Sequence, residues 1–269
     1  MQPDPRGLRP LRCFVGGLSV LGPGLPGWSA SEPVLAGLAP WSFAEAAAPP
    51  PALLGPAERR RAGATVRFAL AAALEATEGE DRAAIETVFA SANGDGAVIG
   101  AMMAAMHEPG GAISPTQFHN SVHNAAAGYW HIAAGSTAPS LSLGGHDGAF
   151  AAGLLAAMSS VAAGAKPILL CAYDAPMPPP FDAVRRTDFA FAAAMVLRVR
   201  PEGARAELEL AYREGAAPFA PSEGLDALAE GNAAARALPL LRALAGRRAA
   251  VLRLPYLDDA HLELRVAPC

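Results

Sequence analysis

Apolar runs alternate with amphipathic segments of helical composition along this chain. Residues 12–22 (RCFVGGLSVLG) run into a Gly/Pro cluster, a pattern typical of a first buried strand and its loop. From Pro56 onward the composition is helical, with one apolar face. Residues 167–173 (PILLCAY) are continuously apolar, which predicts a central strand buried on both faces. Strands that alternate with helices in this way predict an α/β fold.

Further elements follow from the same pattern. We predict an irregular loop over 40–56, a strand and turn over 86–96, helices over 98–107, 124–134, 148–163 and 232–246, strands over 138–143 and 192–199, and a terminal hairpin made of AAVLRLPYL and HLELRVAP. The helix over 98–107 carries Met102, Met103 and Met106, a spacing typical of core packing.

Composition excludes several classes of function. The net charge of −4 leaves no basic field for nucleic acid or anionic lipid, and Arg59–Arg61 is interpreted as a solvated helix start. The three cysteines, Cys13, Cys171 and Cys269, show no paired spacing, which favours a reducing cytoplasm over a disulfide framework. Gly and Pro interrupt the N-terminal apolar run, so we predict neither a signal sequence nor a membrane span there.

The segment 113–176 carries an ordered set of motifs. Ser114-Pro115 is followed by Asn124, then by Ala138-Pro139 before a short strand, and then by a Gly/Ala helix from Gly148. This order resembles the heart of β-ketoacyl synthases in the thiolase superfamily. FVGGLSVLGP is similar to that family's first strand, and AAAMVLRVRPEGARAELEL is similar to the strand that closes its N-terminal half.

The resemblance implies an α/β, thiolase-like half-fold, with a central mixed sheet sandwiched between helices in α-β-α layers. It also implies a division of the chain. Residues 1–11 would be a flexible N-terminus, and residues 12–212 a β-ketoacyl synthase N-terminal-like domain. Residues 213–269 would form a short helix plus hairpin packed on the same domain.

The departures from the family bear on activity. Anchored on the Gly148 helix, the family's nucleophilic cysteine falls at Gly145, flanked by His146 and Asp147. Glycine has no side chain to acylate, and Cys13 and Cys171 lie in predicted strands. The chain is also too short to hold the second half that supplies the family's decarboxylating groups. The resemblance therefore implies no catalytic residue and no activity of the chain on its own.

Synthases of this family pair through the strand that precedes the cysteine, here 140–143. In some pairs one subunit has lost its cysteine and acts as a chain-length factor, which shapes a tunnel at the dimer interface. This chain resembles a short subunit of that kind, from type II aryl polyene, polyketide or fatty acid systems. The implied partner is a cysteine-containing ketosynthase, with an acyl carrier protein docking indirectly; no cofactor is implied. The candidate partner-facing and tunnel-facing residues are Phe118, His119, His123, Asn124, Pro139, Ser140, Leu141, Ser142 and Leu143.

Other interpretations of the same residues stay open. His119 and His123 have the i, i+4 spacing of a zinc site, but no third ligand is evident, so no metal is predicted. His146 and Asp147 have the composition of an acid/base dyad, although Asp147 is more simply an N-cap of the helix from Gly148. The rival functions are a stand-alone enzyme for acyl thioesters, using His146 or the His119/His123 pair, and a homodimeric binding module.

Overall fold

One mixed β-sheet organises the fold. The structure, a computed structural model, describes residues 9–47, 50, 52–164, 166–217 and 223–269. The strands are β1 (Leu11–Gly22), β2 (Leu25–Pro26), β3 (Glu86–Ala90), β4 (Ser140–Leu143), β5 (Ile168–Asp174), β6 (Phe191–Arg198), β7 (Ala206–Glu214), β8 (Ala250–Leu257) and β9 (Ala260–Pro268). Their order in the sheet is β4-β3-β5-β6-β1-β7-β9-β8, and β2 pairs with β1 beside this path.

The helices cover both faces of this sheet. They are α1 (Trp28–Leu35), α2 (Pro56–Arg61), α3 (Ala64–Ala76), α4 (Gly96–His107), α5 (Pro115–Ser121), α6 (Ala125–Ala134), α7 (Ala149–Gly164), α8 (Leu228–Gly231) and α9 (Leu238–Ala245). Alternate residues of β5 pack toward opposite faces: Leu169 and Cys171 face the α3 and α6 layer, whereas Ile168 and Leu170 face the layer of α1, α7 and α9. The α-β-α layering predicted from the sequence is confirmed.

Small residues bring the helices close to the sheet. An added Cβ at Gly17 of β1 would lie 2.0 Å from the carbonyl oxygen of Ala76 in α3. An added Cβ at Gly153 of α7 would lie 2.7 Å from the Cβ of Ala90 in β3. Real Cβ atoms do not approach this closely, so both contacts require glycine. The abundance of Ala and Gly is thus a consequence of tight layer packing.

The sheet has a parallel part and an antiparallel part. β3 pairs in parallel with both β4 and β5, and every other pairing is antiparallel. The carboxyl ends of β3, β4 and β5 therefore meet at one end of the sheet, where the turn before α7 begins. This is the place where α/β sheets usually carry their functional groups.

The C-terminal strands β7, β9 and β8 continue the sheet beyond β1. Their inner face is buried against α9 through Leu208 of β7 and Leu264 of β9. Their outer face carries cross-strand ion pairs: Arg12 Nη2 lies 2.5 Å from Glu209 Oε2, and Arg213 Nη2 lies 3.3 Å from Glu263 Oε1. This alternation is typical of an antiparallel sheet with one solvated face.

Two local predictions are wrong. The helix predicted from Pro56 is split into α2 and α3, because Ala62 takes an extended conformation. The methionines of α4 do not pack in the core, since Met103 is 43% exposed and Met106 is 67% exposed. Gly96 is the buried residue of this helix. An apolar helix therefore lies on the surface of the chain.

Within the described ranges, the run His146–Gly164 is long and apolar enough to cross a membrane, by length and composition. Buried residues make up 44% of its apolar window, and α7 packs against β1, β3 and β5. A core helix with these contacts passes the same test, so the run is weak evidence for a membrane span.

Candidate functional site

A buried carboxylate lies at the carboxyl end of β5. Asp174 accepts hydrogen bonds from Ser91 Oγ (2.8 Å), from the Ala92 N–H (3.2 Å) and from the Asn93 N–H (3.0 Å). Burial raises the pKa of Asp174 to about 6, although these hydrogen bonds favour the charged form and oppose the shift. Asp174 therefore ties the loop that follows β3 to the end of β5.

The network continues from this loop to the start of α7. Asn93 Nδ2 donates to Thr187 Oγ1 (2.9 Å), and Arg185 Nε donates to Asn93 Oδ1 (3.0 Å). Arg185 also reaches Asp147 Oδ1 through Nη1 at 2.5 Å. Arg236, which precedes α9, lies 3.1 Å from the other oxygen, Asp147 Oδ2. The Asp147 carboxylate thus joins three segments that are distant in sequence.

Asp147 is not a helix cap, so that interpretation is wrong. The 3₁₀ turn His146–Gly148 precedes α7, and its N-cap position is Gly145, with no side-chain cap hydrogen bond. Burial alone would raise the pKa of Asp147. The hydrogen bond from Arg185 and the positive charges of Arg236 and Arg185 outweigh burial, so the pKa is lowered. The carboxylate is held charged between two guanidinium groups.

The turn at Gly145 is closed against α7. A Cβ added at Gly145 would lie 2.9 Å from Ala149 Cα and 3.1 Å from the Ala149 nitrogen. The next residue, His146, has a φ of 49°, a left-handed backbone conformation that is uncommon for residues other than glycine. The local strain of this turn therefore falls on His146, and a side chain at residue 145 requires the start of α7 to shift.

His146 is poorly placed to act as a general base. Its Nε2 lies 3.3 Å from Arg185 Nη1, and its Nδ1 lies 3.6 Å from Asp147 Oδ1. A guanidinium group only donates hydrogen bonds, so it engages the lone pair on Nε2 that a base would need. At this turn the positive charge of Arg185 instead balances the negative charge of Asp147.

The C-terminal hairpin approaches the same turn. A Cβ added at Gly148 would lie 3.0 Å from the carbonyl oxygen of Tyr256, at the end of β8. The cleft between Asp147, Arg236 and Pro255 holds about 30 Å³, room for about two water molecules. An acyl chain has no space in this cleft.

The cysteines offer no alternative nucleophile at this site. Burial, together with the nearby charge of Glu207, raises the pKa of Cys13 to about 12. Complete burial also raises the pKa of Cys171. A thiol must ionise to attack a thioester, so both are inert packing groups. Cys269 is exposed and follows β9, where its N–H donates to the Arg205 carbonyl, away from the turn.

The predicted partner-facing strand forms one edge of the sheet. β4 pairs with β3 and has no strand on its other side within the described chain. Pro139 and Ser140 are exposed, Leu141 is 45% exposed, and Ser142 and Leu143 are half-buried. Ser140 Oγ accepts a hydrogen bond from Thr87 Oγ1 at 2.8 Å, which fixes the start of β4 on β3.

The other predicted partner residues are divided between surface and interior. Phe118 is 62% exposed, and His119 and Asn124 are also exposed. His123 is turned inward, where its Nε2 donates to the Ser91 carbonyl at 3.0 Å. The His119 ring instead stacks edge-on against Tyr129, with 6.0 Å between ring centroids. Among the described residues, no group of three or more His, Cys, Asp and Glu side chains is suited to a metal ion.

Sequence reasoning missed the exposed apolar residues between β3 and β4. Besides Phe118, five such side chains are exposed: Met103, Met106, Ile113, Val122 and Ile132. Helix α4 contacts α5, α5 contacts α6, and α6 contacts β4, so these residues lie on a connected series of elements. The methionine spacing alone gave no signal, because core and interface helices share it.

A family model described as the N-terminal domain of β-ketoacyl synthase matches residues 36–254. The chain belongs to this family. A search of curated protein sequences finds no match.

Solved structures of family members show the same fold. One is the ketosynthase ApeO in complex with its chain length factor ApeC from Xenorhabdus doucetiae, at 19% identity and a TM-score of 0.72, covering 95% of this chain and 99% of that chain. Another is the ishigamide ketosynthase/chain length factor, at 14% identity and 0.72, covering 96% and 99%. A β-ketoacyl synthase from Burkholderia phymatum STM815 follows at 13% identity and 0.58, covering 83% and 70%. At these identities the likeness establishes the fold.

Proposed function

We propose that this chain is a non-catalytic ketosynthase-like subunit of the chain-length-factor type. It forms a heterodimer with a cysteine-containing ketosynthase in the cytoplasm and helps to line the tunnel for a growing fatty acyl, aryl polyene or polyketide chain. An acyl carrier protein serves the complex indirectly. The observation that carries the proposal is the open edge of β4, which is packed against α6, the helix that exposes Ile132.

The two edges of the sheet differ in their protection. On the β8 edge, Pro255 lacks an N–H donor and Arg253 carries a charge, and both features discourage strand pairing. The strand β4 contains no charge and no proline. Of the usual protections of an edge strand, β4 has only its short length of four residues, so its unpaired backbone groups can still pair with another chain. An added antiparallel strand on β4 would extend the sheet into a partner subunit.

Exposed apolar residues between β3 and β4 also favour a protein partner. Helix α4, Gly96–His107, contains no Asp, Glu, Lys or Arg, yet it lies on the surface. Phe118 of α5 and Ile132 of α6 are 62% and 61% exposed. Exposed apolar side chains on packed neighbouring elements favour an interaction site. Because α6 contacts β4, pairing through β4 would bring a partner close to this helix.

The turn before α7 supports a non-catalytic role. Residue 145 has no side chain, and backbone atoms of Ala149 occupy the space that a side chain would need. The likeness to one chain of the ApeO–ApeC complex, in which 95% of this chain covers 99% of that chain, supports a chain-length-factor type.

Affinity capture from native extract tests the proposal. Tagged wild-type protein should recover a stoichiometric, cysteine-containing ketosynthase, identified by mass spectrometry. Leu141→Asp places a charge on the open β4 edge and should abolish recovery. Val251→Asp is the matched control, since Val251 is 59% exposed on the opposite edge strand, β8. The heterodimer would be refuted if the tagged wild-type protein were recovered without a bound ketosynthase, either as a monomer or as a homodimer.

A further inference from the structure

A chain of side-chain hydrogen bonds runs from α6 to the open edge of the sheet. His131 of α6 is half-buried, and its Nε2 lies 3.2 Å from Oγ1 of Thr87 in β3. Thr87 Oγ1 lies 2.8 Å from Oγ of Ser140, the first residue of β4. The other ring nitrogen, His131 Nδ1, lies 3.2 Å from the carbonyl oxygen of Ser136. The chain therefore begins at a titratable ring and ends at Ser140, an exposed residue of the edge strand.

The Ser136 carbonyl fixes which ring nitrogen of His131 always carries a proton. A carbonyl oxygen only accepts hydrogen bonds, so Nδ1 carries a proton in both the neutral and the charged ring. Ser136 is itself held in place, because its Oγ donates to the Ala83 carbonyl at 2.9 Å and accepts from the Ala138 N–H at 3.1 Å. Nε2 therefore has a lone pair when the ring is neutral and a second proton when the ring is charged.

The single proton of each hydroxyl group gives the chain a direction. When the His131 ring is charged, Nε2 donates to Thr87 Oγ1, and Thr87 donates to Ser140 Oγ, which is the direction observed in the structure. When the ring is neutral, Thr87 has to donate to Nε2, so Ser140 has to donate to Thr87. All three bonds persist in both states. The Ser140 proton is free for an outside group in the charged state and is used by Thr87 in the neutral state.

No charged side chain holds the His131 ring in one state among the described residues. Helix α6 packs on α3, α5, β3 and β4, and β4 has no ionisable residue. Glu86 of β3 points to the opposite face of the sheet from Thr87 and lies 3.9 Å from Lys166. No hydrogen bond or ion pair joins His131 to the other ionisable residues of these elements, of α6 itself and of their adjoining loops: Arg67, Glu75, Glu78, Glu80, Asp81, Arg82, His119, His123 and Tyr129. Histidine is the side chain whose charge commonly changes between about pH 5 and pH 8.

We propose that His131 is a positioning residue for the pairing of β4, whose charge decides whether Ser140 accepts or donates a hydrogen bond across the open edge. The inference rests on the proposed heterodimer. The position beside Ser140 on the same face of the sheet belongs to the next strand, which β4 lacks in the described chain. With the ring neutral, Ser140 offers a lone pair, so the matching ketosynthase strand presents a side-chain N–H donor there. Acidification makes Ser140 a donor and sets two donors against each other.

Nitrogen NMR of the isolated full chain tests the hydrogen-bond chain without a partner. In protein with isotope-labelled histidine at about pH 8, the His131 ring should be the tautomer protonated on Nδ1. Its signals are assigned by their loss in His131→Gln. A ring protonated on Nε2 instead would overturn the proposal, because Thr87 would then donate to Ser140 in the neutral state as well.

Affinity for the ketosynthase that the tagged wild type recovers tests the edge itself. Binding of that purified ketosynthase should weaken about two- to fivefold between about pH 8 and about pH 5.5, the contribution of one cross-strand hydrogen-bonded pair. Ser140→Ala should remove this part of the pH dependence, whereas the matched control Ser142→Ala, on the same strand, should keep it. Equal pH dependence in wild type and Ser140→Ala would overturn the proposal. Failure to recover any ketosynthase would refute the heterodimer instead, and the tautomer of His131 would still test the hydrogen-bond chain.

Discussion

Replacing Asp147 by alanine tests the role of the turn before α7. The turn is either a structural clamp, in which Asp147 holds Arg185 and Arg236, or a reaction centre. The change removes the carboxylate between Arg185 and Arg236, whose side chains are 20% and 18% exposed. Breaking a fully buried ion pair costs about 3–5 kcal/mol, and breaking an exposed one costs about 0–1 kcal/mol. Asp147 itself is 43% exposed, so solvent screens both pairs. We expect the free energy of unfolding to fall by about 2 kcal/mol.

The pH dependence of this loss has a defined sign. Because the folded-state pKa of Asp147 is lowered, its contribution to stability is present above the unfolded-state pKa of about 3.9. It disappears as the pH falls through the lower, folded-state pKa. The difference between wild type and Asp147→Ala should therefore be constant near neutral pH and shrink below about pH 4.

Urea unfolding followed by circular dichroism measures the effect. Asp258→Ala removes an exposed carboxylate elsewhere and should change stability by less than about 0.5 kcal/mol. Hydrolysis of a panel of acyl thioesters is measured in parallel. If Asp147→Ala is as stable as wild type but eliminates a hydrolytic activity that wild type shows, the clamp is wrong and the His146/Asp147 dyad is the functional unit.

Three further changes follow from the site. Gly145→Cys should lower the free energy of unfolding in urea by about 1–3 kcal/mol, because the Cβ of the new side chain would lie 2.9 Å from Ala149 Cα. This variant should restore no condensing activity. The control is Gly128→Ala, which should not destabilise the protein, because an added Cβ there has no neighbouring atom within 4 Å. Destabilisation by Gly128→Ala but not by Gly145→Cys would contradict the packing argument. Because the pKa of Asp174 is raised to about 6, the unfolded state loses its proton first, and this group lowers wild-type stability as the pH rises from about 4 to about 6. Asp174→Asn should flatten that slope in unfolding curves taken across this range, and an unchanged slope would assign it elsewhere. Met103→Ser/Met106→Ser should change the free energy of unfolding by less than about 0.5 kcal/mol, since both side chains are exposed, but should weaken capture of the ketosynthase. A large loss of stability would show that these methionines pack in the core.

The central elements were predictable because their burial is visible in the sequence. The run 167–173 becomes β5, Ile168–Asp174, in which every residue is buried. The predicted strand over 138–143 becomes β4, and its position at the sheet edge follows from the family resemblance. The hydrophobic period and the apolar content of a segment are local properties of the sequence. They are sufficient to predict a strand or helix whose buried side is clear from the pattern.

Contacts between distant residues could not be predicted. Asp147 pairs with Arg185 and Arg236, which are 38 and 89 residues away along the chain. No local pattern distinguishes such a carboxylate from a helix cap, since an aspartate before an apolar helix fits both. The surface position of α4 was hidden for a different reason: an interface helix has the composition of a core helix until its neighbours are known. The domain limits at 12–212 remain a prediction.

The closed turn before α7 and the open edge of β4 together fit a subunit that works with a partner. A ketosynthase needs an open turn with a nucleophile, whereas here the turn is closed by Ala149 and held by two arginines on Asp147. In the part of the chain that the structure describes, β4 is an open edge of the sheet. An open strand edge can pair with another chain, and β4 carries neither charge nor proline to prevent it. On the proposed function, a partner that pairs along β4 would supply the nucleophile that this chain lacks at residue 145.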